Sequence, residues 1–322
     1  MNHVGAPTVN AADRLIGKIE EKKSPIVIGL DPRIEHIPQF VVDAHVEDFG
    51  CTRKALAKCF VEFNRIIIDA IEHDVAIVKP QVAFYEQLGS CGFEALEETI
   101  AHARDCGLIV ILDAKRNDIG PTAEAYSRAY LGKLSFGPYQ ETVLDIDYLT
   151  VNPYLGSDGI YPFVDDAKTY DKGIFVLVRT SNPSSEEFQG LRMGEKPLHQ
   201  HVLEKVAYWG RDLVGSHGYS SLGAVVGAKY AKDFLAAREE YKEIIFLVPG
   251  YGAQGGTAKD VIPLFNKDGY GAIISSSRQI SHGHASPKVS KSEFIEHVKT
   301  STAQMRSSIT EEMKAHGICP WT

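Results

Sequence analysis

The sequence predicts an α/β protein of the closed (β/α)8, or TIM-barrel, class, built as a single domain with loop insertions. Three observations favour this fold. Short apolar runs are typical of buried parallel strands, amphipathic helical patterns lie between them, and the two alternate about eight times. A count of eight favours a closed barrel over an open doubly wound sheet, and 322 residues are enough for such a barrel with insertions.

The strands are predicted from eight largely apolar runs, most of them rich in β-branched residues. Their apolar residues are continuous rather than alternating, which is the pattern of parallel strands covered on both faces. The runs span residues 25–30, 75–78, 108–112, 148–151, 173–178, 222–226, 244–248 and 271–275.

The helices are predicted from apolar residues that recur every three or four positions. In residues 53–73, for example, Leu56, Phe60, Phe63 and Ile67 fall on one face. Further helices are expected over residues 93–106, 121–130, 198–214, 230–241, 258–265 and 290–316, with a shorter one near 161–170. We also expect a helical extension over roughly residues 1–22 before the first strand, and a C-terminal helix and tail over residues 290–322.

Two insertions interrupt the alternation, at residues 131–147 and 182–197. The second follows the fifth strand and is rich in Gly, Ser, Pro and Glu. A long polar loop after a barrel strand lies on the catalytic face, so we predict that it acts as a lid.

Composition excludes several classes of function. Lys and Arg number 34 against 42 Asp and Glu, and a net charge of −8 argues against a nucleic-acid partner. No run approaches the roughly 18 apolar residues of a membrane span, and the first residues do not resemble a signal peptide. No two of the five cysteines form a C-x-x-C motif, which argues against a disulfide framework and against a zinc site of the usual spacing. We therefore expect a cytoplasmic protein without a membrane partner.

Polar residues follow the predicted strands at the positions where a barrel carries its functional groups. A charged residue directly after an apolar run costs folding free energy unless it pairs with an opposite charge or has a function. The residues are Asp31, Lys79, Asp113 with Lys115 and Asp118, Asn152, Thr180 with Ser181, Gly227, Pro249 with Gly250, and Ser277 with Arg278.

The sharpest cluster is the segment LDAKRNDIG at residues 112–120. Asp113 and Lys115 are two positions apart, so on an extended chain they face the same way, and Lys79 can join them from the neighbouring strand. Alternating carboxylates and ammonium groups hold one another ionised. Two interpretations stay open: a catalytic charge chain, or a structural ion-pair network at the barrel rim.

A second cluster is the segment PGYGAQGG at residues 249–256, followed by SSSR at 275–278. It contains G-x-G-x-x-G, so a dinucleotide-binding turn and an ordinary turn both compete with phosphate binding. The dinucleotide interpretation fits badly because the motif follows the seventh strand and the next strand ends in Ser277 and Arg278. Loops after strands seven and eight often bind phosphate in barrels, so we predict a phosphate site here.

Taken together, these segments resemble the orotidine 5′-phosphate decarboxylase family, in the longer form found in some protozoa and many bacteria. The resemblance covers roughly residues 26–280. It rests on IGLDP at 28–32, KPQVAFY at 79–85, LDAKRNDIG at 112–120, VRTSNP at 178–183, VPGYGAQ at 248–254, and the turn at Arg278.

The resemblance implies a direct decarboxylation of orotidine 5′-phosphate to uridine 5′-phosphate in pyrimidine synthesis, with no metal and no cofactor. In that scheme Asp113 lies beside the leaving carboxylate, and Lys115 protonates the C6 carbanion. Asp31 and Lys79 contact the ribose, and Lys79 also belongs to the charge chain. The resemblance further implies a homodimer in which Asp118 and Thr122 reach the partner's site.

The remaining residues implied by the resemblance contact the substrate. Thr180 or Ser181 binds the pyrimidine ring, and the sequence does not say which. The other predicted substrate contacts are Asn152, Pro249, Gln254, Ser277 and Arg278, the last three holding the phosphate. Many relatives carry Gly where this chain has Ser277, and either residue keeps the amide donor.

Three alternatives remain open at this point. The first is a related phosphosugar decarboxylase or synthase, some of which require a metal ion. The second is a Schiff-base aldolase using Lys79 or Lys115. The third is a phosphate-binding barrel without activity, although three costly charges at Asp113, Lys115 and Asp118 argue against it.

Overall fold

The computed structural model describes residues 9–252, 255–284 and 286–321. Its centre is a closed barrel of eight parallel strands, so the predicted fold is confirmed. The strands are β1 Ile26–Leu30, β2 Ile77–Pro80, β3 Ile109–Arg116, β4 Tyr148–Val151, β5 Gly173–Arg179, β6 Leu222–Val226, β7 Phe246–Pro249 and β8 Ala272–Ser276. Each strand pairs with its sequence neighbour, and β8 closes the barrel on β1. All carboxyl ends therefore meet at one rim.

Helices surround the barrel and fill the connections between strands. They are α1 Ala11–Lys22, α2 Gln39–Phe49, α3 Arg53–Ile71, α4 Val82–Glu86, α5 Ser90–Asp105, α6 Gly120–Tyr130, α7 Ser157–Thr169, α8 Glu186–Gln189, α9 Leu198–Gly210, α10 Leu235–Glu240, α11 Ala258–Val261, α12 Arg278–Ser281 and α13 Lys291–Ala315. Short 3-10 turns extend several of them, for example Arg211–Leu213 after α9 and Ile262–Leu264 after α11.

The structure differs from the sequence prediction in a few elements. Helix α2 was not predicted, because Val41 is its only buried residue among eleven and little apolar periodicity results. The helix expected over residues 230–241 is divided into a 3-10 helix, Ala228–Phe234, and a short α-helix that begins at Leu235. The first insertion contains a small hairpin, Leu134–Phe136 with Tyr139–Glu141, and the second contains α8 and a two-residue hairpin.

The apolar core has two parts. The larger part lies between the strands and the outer helices. The smaller part fills the barrel interior, where Ile77, Tyr148 and Phe175 contact the apolar face of α1. Helix α1 therefore closes the amino-terminal end of the barrel, opposite the rim where the strands end.

Polar contacts fasten α1 in that position. Asp13 accepts hydrogen bonds from the backbone amides of Ser216 and His217, at 2.8 and 2.9 Å, and from both their side chains. Burial would raise the pKa of Asp13, but these donors outweigh it and lower the pKa to about 2. The carboxylate is thus held ionised at the foot of the barrel.

Asp147, just before β4, makes a second ionic contact at the same end. Its carboxylate accepts hydrogen bonds from the Arg104 guanidinium, at 2.9 Å to each oxygen, and from the Val110 amide at 2.9 Å. Arg14 of α1 approaches the same carboxylate at 3.4 Å. This network links α1, α5 and the start of β4.

Among the described residues, no helix has both the length and the apolar character that crossing a membrane requires.

Candidate active site

A buried charge chain lies at the carboxyl ends of β2 and β3. Asp113 Oδ2 accepts a hydrogen bond from Lys79 Nζ at 2.8 Å, and Asp113 Oδ1 accepts one from Lys115 Nζ at 2.5 Å. The side chains of Lys79 and Asp113 are 8% and 12% exposed, whereas that of Lys115 is 45% exposed. The structure thus brings these three predicted residues together and leaves Lys115 accessible to a ligand.

The charges set the protonation of this cluster. Burial alone would raise the pKa of Asp113, but the two ammonium groups outweigh burial and hold it well below its ordinary value. Burial would likewise lower the pKa of Lys79, yet the carboxylates of Asp113 and Asp31 raise it. Asp113 is therefore a carboxylate and Lys79 an ammonium group at neutral pH.

The backbone at Lys115 is in an unusual conformation. Lys115 has a φ of 50°, in the left-handed region that few non-glycine residues adopt, and the pairing of β3 with β4 shifts register between Leu112 and Arg116. Such strained residues persist only where neighbouring contacts hold them. The bulge presents the Lys115 side chain to the rim.

Thr150 supplies those contacts from β4. Its hydroxyl oxygen accepts hydrogen bonds from the amides of Ala114 and Lys115, at 3.0 and 2.9 Å, and donates one to Asp113 Oδ1 at 3.0 Å. Thr150 was not among the predicted site residues because it lies within an apolar run. One buried hydroxyl therefore positions both the bulge and the central carboxylate.

Asp31 lies beside the chain, directly after β1. Burial raises the pKa of Asp31, and this is opposed mainly by the charge of Lys79 and by a hydrogen bond from Ser277. Its Oδ1 is buried and has no hydrogen-bond partner among the described residues. Ser277 approaches β1 closely enough that a Cβ on Gly29 would lie 1.8 Å from the Ser277 hydroxyl, so only glycine fits there. Asp31 thus offers an unused polar atom at the rim.

A cavity of about 230 Å³ opens above the charge chain. Its polar side holds Lys79, Asp113, Lys115 and Thr150. Its apolar side and mouth are formed by Leu177, Val225, Leu247 and Pro249, with the segment from Thr180 to Asn182 along one edge. The cavity pairs a row of charges with an apolar wall, the combination that a flat heterocycle with one ionised substituent requires.

A second cavity, of about 420 Å³, adjoins the first. Ser181 and Asn182 line both, and the second is further lined by Pro183, Lys229, Gly250 and Arg278. Two cations and a glycine with φ of 102° thus lie together after strands β6, β7 and β8. Lys229 was not among the predicted site residues because it lies three residues past the end of β6. Guanidinium and ammonium groups of this kind bind phosphate oxygens.

Thr180 is held by the second insertion. Gln189 Oε1 accepts a hydrogen bond from the Thr180 amide at 2.8 Å, and Gln189 Nε2 donates one to the Thr180 hydroxyl at 2.7 Å. Arg179, which is 3% exposed, pairs with Glu186 and lies over the Tyr230 ring at 3.9 Å. These contacts connect the loop over residues 182–197 directly to the site edge.

Other predicted residues lie apart from these cavities. Asp118, Thr122 and Asn152 are absent from the described lining of both. Asp118 accepts a hydrogen bond from the Ile119 amide at 2.8 Å, and Asn152 accepts one from the Tyr154 amide at 3.1 Å. Gln254 lies outside the described residues.

Thr122 instead lines a groove of about 870 Å³ between α6 and α7. Apolar side chains are exposed on this side of the molecule and on the loops beside it. They include Ile119 at 52%, Tyr154 at 77%, Leu155 at 43% and Tyr161 at 41%. The segment that carries Asp118 and Thr122 therefore belongs to an exposed, partly apolar surface.

Comparison with known proteins agrees with this geometry. The model of the orotidine 5′-phosphate decarboxylase / HUMPS family matches residues 24–290. Orotidine 5′-phosphate decarboxylase of Caldicellulosiruptor saccharolyticus is 42% identical over 276 residues, covering 86% of this chain and 90% of the relative. The enzyme of that name from Rhodopirellula baltica is 41% identical over 302 residues, covering 92% and 98%.

A solved structure extends the agreement to three dimensions. The structure of Leishmania donovani OMP decarboxylase is 30% identical in sequence and superposes with a TM-score of 0.65, covering 92% of this chain and 99% of that one. Both the predicted family and the predicted enzyme class, a carboxy-lyase, are confirmed. The match of barrel, motifs and relatives over nearly the whole chain shows that it belongs to the orotidine 5′-phosphate decarboxylase family.

Proposed function

We propose that this chain converts orotidine 5′-phosphate to uridine 5′-phosphate and CO2 by direct decarboxylation. The observation that carries the proposal is the chain Lys79–Asp113–Lys115, which faces an apolar cavity that adjoins a second, cationic cavity. The relatives named above carry this activity in their names. The two cavities match the two ends of a nucleoside monophosphate.

In the proposed complex, the phosphate occupies the cavity of Arg278 and Lys229, with Gln254 and the Ser277 amide as further donors. The ribose hydroxyls bind Asp31, whose Oδ1 has no other partner among the described residues, and Lys79. The pyrimidine ring lies against the apolar wall beside Pro249. Thr180 or Ser181 contacts its polar edge, and Ser181 lines both cavities. Asn152 stays a predicted substrate contact.

The chemical step follows from the placement of Asp113 and Lys115. The bond between C6 and the carboxyl carbon breaks, its electron pair stays on C6, and CO2 leaves. The Lys115 ammonium group stabilises the developing charge and then donates a proton to C6, after which Lys115 regains a proton from water. Asp113 holds Lys115 in place and lies beside the leaving carboxylate.

Binding energy from the phosphate end can be used at the reacting end. Ser181 and Asn182 border both cavities and begin the loop over residues 182–197. We propose that this loop closes over the bound nucleotide, so that phosphate contacts become fully formed only as the site assembles.

We also propose a homodimer in which Asp118 and Thr122 complete the partner's site. Two features support it: Asp118 is absent from the described lining of its own cavity, and apolar side chains around it are exposed. A second copy of the chain that covers this surface would bury Ile119 and Tyr154. It would also bring a carboxylate to the far side of Lys115.

Absorbance of orotidine 5′-phosphate in the presence of excess chelator tests the activity. The expected result is a fall to the spectrum of uridine 5′-phosphate. An inactive but folded protein would contradict the proposal. Complete loss of activity with chelator would favour a metal-dependent phosphosugar relative, and covalent trapping by borohydride would favour an aldolase.

Mixing an Asp118→Asn variant with a Lys115→Ala variant tests the shared site. Each mixed dimer has one site with both defects and one with neither, so random exchange should restore about a quarter of the wild-type sites. The control is each variant alone, carried through the same exchange. Absence of recovery in confirmed mixed dimers would rule out sharing through Asp118.

A further inference from the structure

A second group of donor atoms lies outside the barrel, between the carboxyl ends of α3 and α5. It consists of Asp69 from α3, His102 from α5, and Cys106, which directly follows α5. Helices α3 and α5 end just before strands β2 and β3 begin. The group therefore lies near the amino-terminal end of the barrel, opposite the active site.

The three donor atoms converge on one region. His102 Nε2 lies 2.6 Å from Asp69 Oδ1 and 4.0 Å from Cys106 Sγ, and all three atoms lie within 4.8 Å of one another. Both neighbours approach the same ring nitrogen. A nucleophilic Cys–His–Asp arrangement would instead place the thiol and the carboxylate at opposite nitrogens of the ring.

The state of the thiol also argues against a nucleophile. The Cys106 thiol is partly buried, and the carboxylates of Glu72, Asp69 and Asp105 lie near it. Reactive cysteines have the opposite environment, with neighbouring cations that favour the thiolate. A site surrounded by carboxylates attracts a cation, and thiolate, imidazole and carboxylate are the ligands that zinc prefers.

We propose that Asp69, His102 and Cys106 bind a divalent transition ion of the zinc class. Binding forms a bond from the ion to Cys106 Sγ and releases the thiol proton to solvent. Glu72, whose carboxylate accepts a hydrogen bond from the thiol, or a water molecule fills the fourth position. The ion ties α3 to α5 and takes no part in decarboxylation.

The sequence pattern explains why this site is hard to find. His102 and Cys106 are four residues apart, which places them on one face of the last turn of α5. The third ligand lies 33 residues before His102 and comes close only in the folded chain. A search for C-x-x-C or for paired histidines passes over this arrangement.

Titration of the full-length, chelator-treated protein with Co²⁺ tests the proposal. A thiolate bound to Co²⁺ gives a charge-transfer band, so the wild-type protein should show one at a stoichiometry of one ion per chain. Cys106→Ser should abolish the band. Asp69→Asn, at an exposed position, should keep it but weaken the affinity at least about tenfold.

The matched control is Cys91→Ser, which removes a thiol at the opposite end of α5 and should leave the titration unchanged. Zn²⁺ should compete with Co²⁺ and raise the thermal midpoint of the wild-type protein but not of Cys106→Ser. Absence of the band in wild-type protein would overturn the proposal. A band that survives Cys106→Ser would also overturn it, because the ion would then be bound elsewhere.

Discussion

Two buried aspartates, one at each end of the barrel, contact different kinds of basic side chain. Asp113 at the carboxyl rim and Asp147 at the amino end each contact two basic side chains. The partners of Asp147 are arginines, and a backbone amide occupies one of its oxygens. The partners of Asp113 are lysines, and a threonine hydroxyl takes the place of the amide.

The arginine partners and the lysine partners differ in whether they can exchange a proton. Arginine is a fixed fork that stays charged, so Arg14 and Arg104 hold Asp147 without any capacity to exchange a proton at neutral pH. Lysine is a compact ammonium group on a flexible stem and can give up its proton. Lys115 is also 45% exposed and sits on a left-handed backbone. These contacts suit the amino-terminal network to stabilising the fold, whereas we propose that the rim network takes part in the reaction.

The largest expected effect is that of Lys115→Ala. This change removes the proposed proton donor and the charge proposed to face the carbanion, so kcat should fall by at least about 10⁴-fold. Affinity for uridine 5′-phosphate should change little, because the lost contact matters chiefly in the transition state. Steady-state kinetics and calorimetry measure both quantities.

Lys172→Ala is the matched control at the other end of the molecule. Lys172 also pairs with an aspartate, Asp145, at 2.8 Å, but far from the rim. Its kcat should equal that of the wild type. Normal turnover by the Lys115→Ala enzyme would show that the rim network has no catalytic role.

Asp147→Asn should affect stability instead of catalysis. The substitution leaves two guanidinium groups facing a neutral side chain that is nearly inaccessible to solvent, and breaking a buried pair in this way costs about 3 kcal/mol. Denaturant unfolding should show this loss with kcat unchanged. The neighbouring Asp145→Asn is the control: Asp145 is 54% exposed, so its loss should cost less than about 1 kcal/mol. Equal losses in the two variants would contradict a structural role for Asp147.

Asp13 gives the amino-terminal end a dependence on pH. The pKa of Asp13 is about 2 in the folded protein, whereas that of an ordinary aspartate side chain is 3.8, so folding favours the ionised form. The contribution to the free energy of unfolding, about 2 kcal/mol, is present above pH 3.8 and is lost as the pH falls through about 2. The stability difference between wild type and Asp13→Asn should therefore shrink in acid. A difference that stayed constant down to pH 2 would show that the carboxylate charge is not responsible.

The smallest expected effect is that of Thr150→Val, which keeps the side-chain shape and removes the hydroxyl. The bulge at Lys115 should lose its anchor and kcat should fall about tenfold, with a smaller change in KM. The control is Thr99→Val, because Thr99 is also buried and donates a hydrogen bond within α5 at 2.8 Å. Both variants should lose about 1–2 kcal/mol of stability. If both or neither lost kcat, Thr150 would have no positioning role.

Whether a residue of the site could be predicted from the sequence depended on its neighbours along the chain. The charge chain was predictable because Lys79, Asp113 and Lys115 interrupt or follow apolar runs, where charges require a reason. Thr150 was not predictable, because a threonine inside a strand is typical of any sheet. Lys229 lines the second, cationic cavity from the 3-10 helix Ala228–Phe234, whose path after β6 the sequence does not specify.

Other parts of the site depend on more than one segment or one chain. The bulge after Leu112 results from pairing between β3 and β4, and no local pattern marks it. The proposed role of Asp118 requires a second copy of the protein. Helix α2 was not predicted either, because most of its surface is exposed and its sequence shows little apolar periodicity.

The position of α1 has a consequence for the order of folding. Asn10 donates a hydrogen bond to Leu213 at 3.0 Å, and Asp13 accepts one from Ser216, each pair being 203 residues apart. On the ribosome, α1 therefore cannot make these contacts until the chain has grown by the 203 residues that separate the partners. Until then, the apolar face of α1 is exposed to solvent or makes transient contacts. Contacts between residues so far apart in sequence also slow folding. Helix α1 is thus synthesised long before its native partners at the foot of the barrel exist.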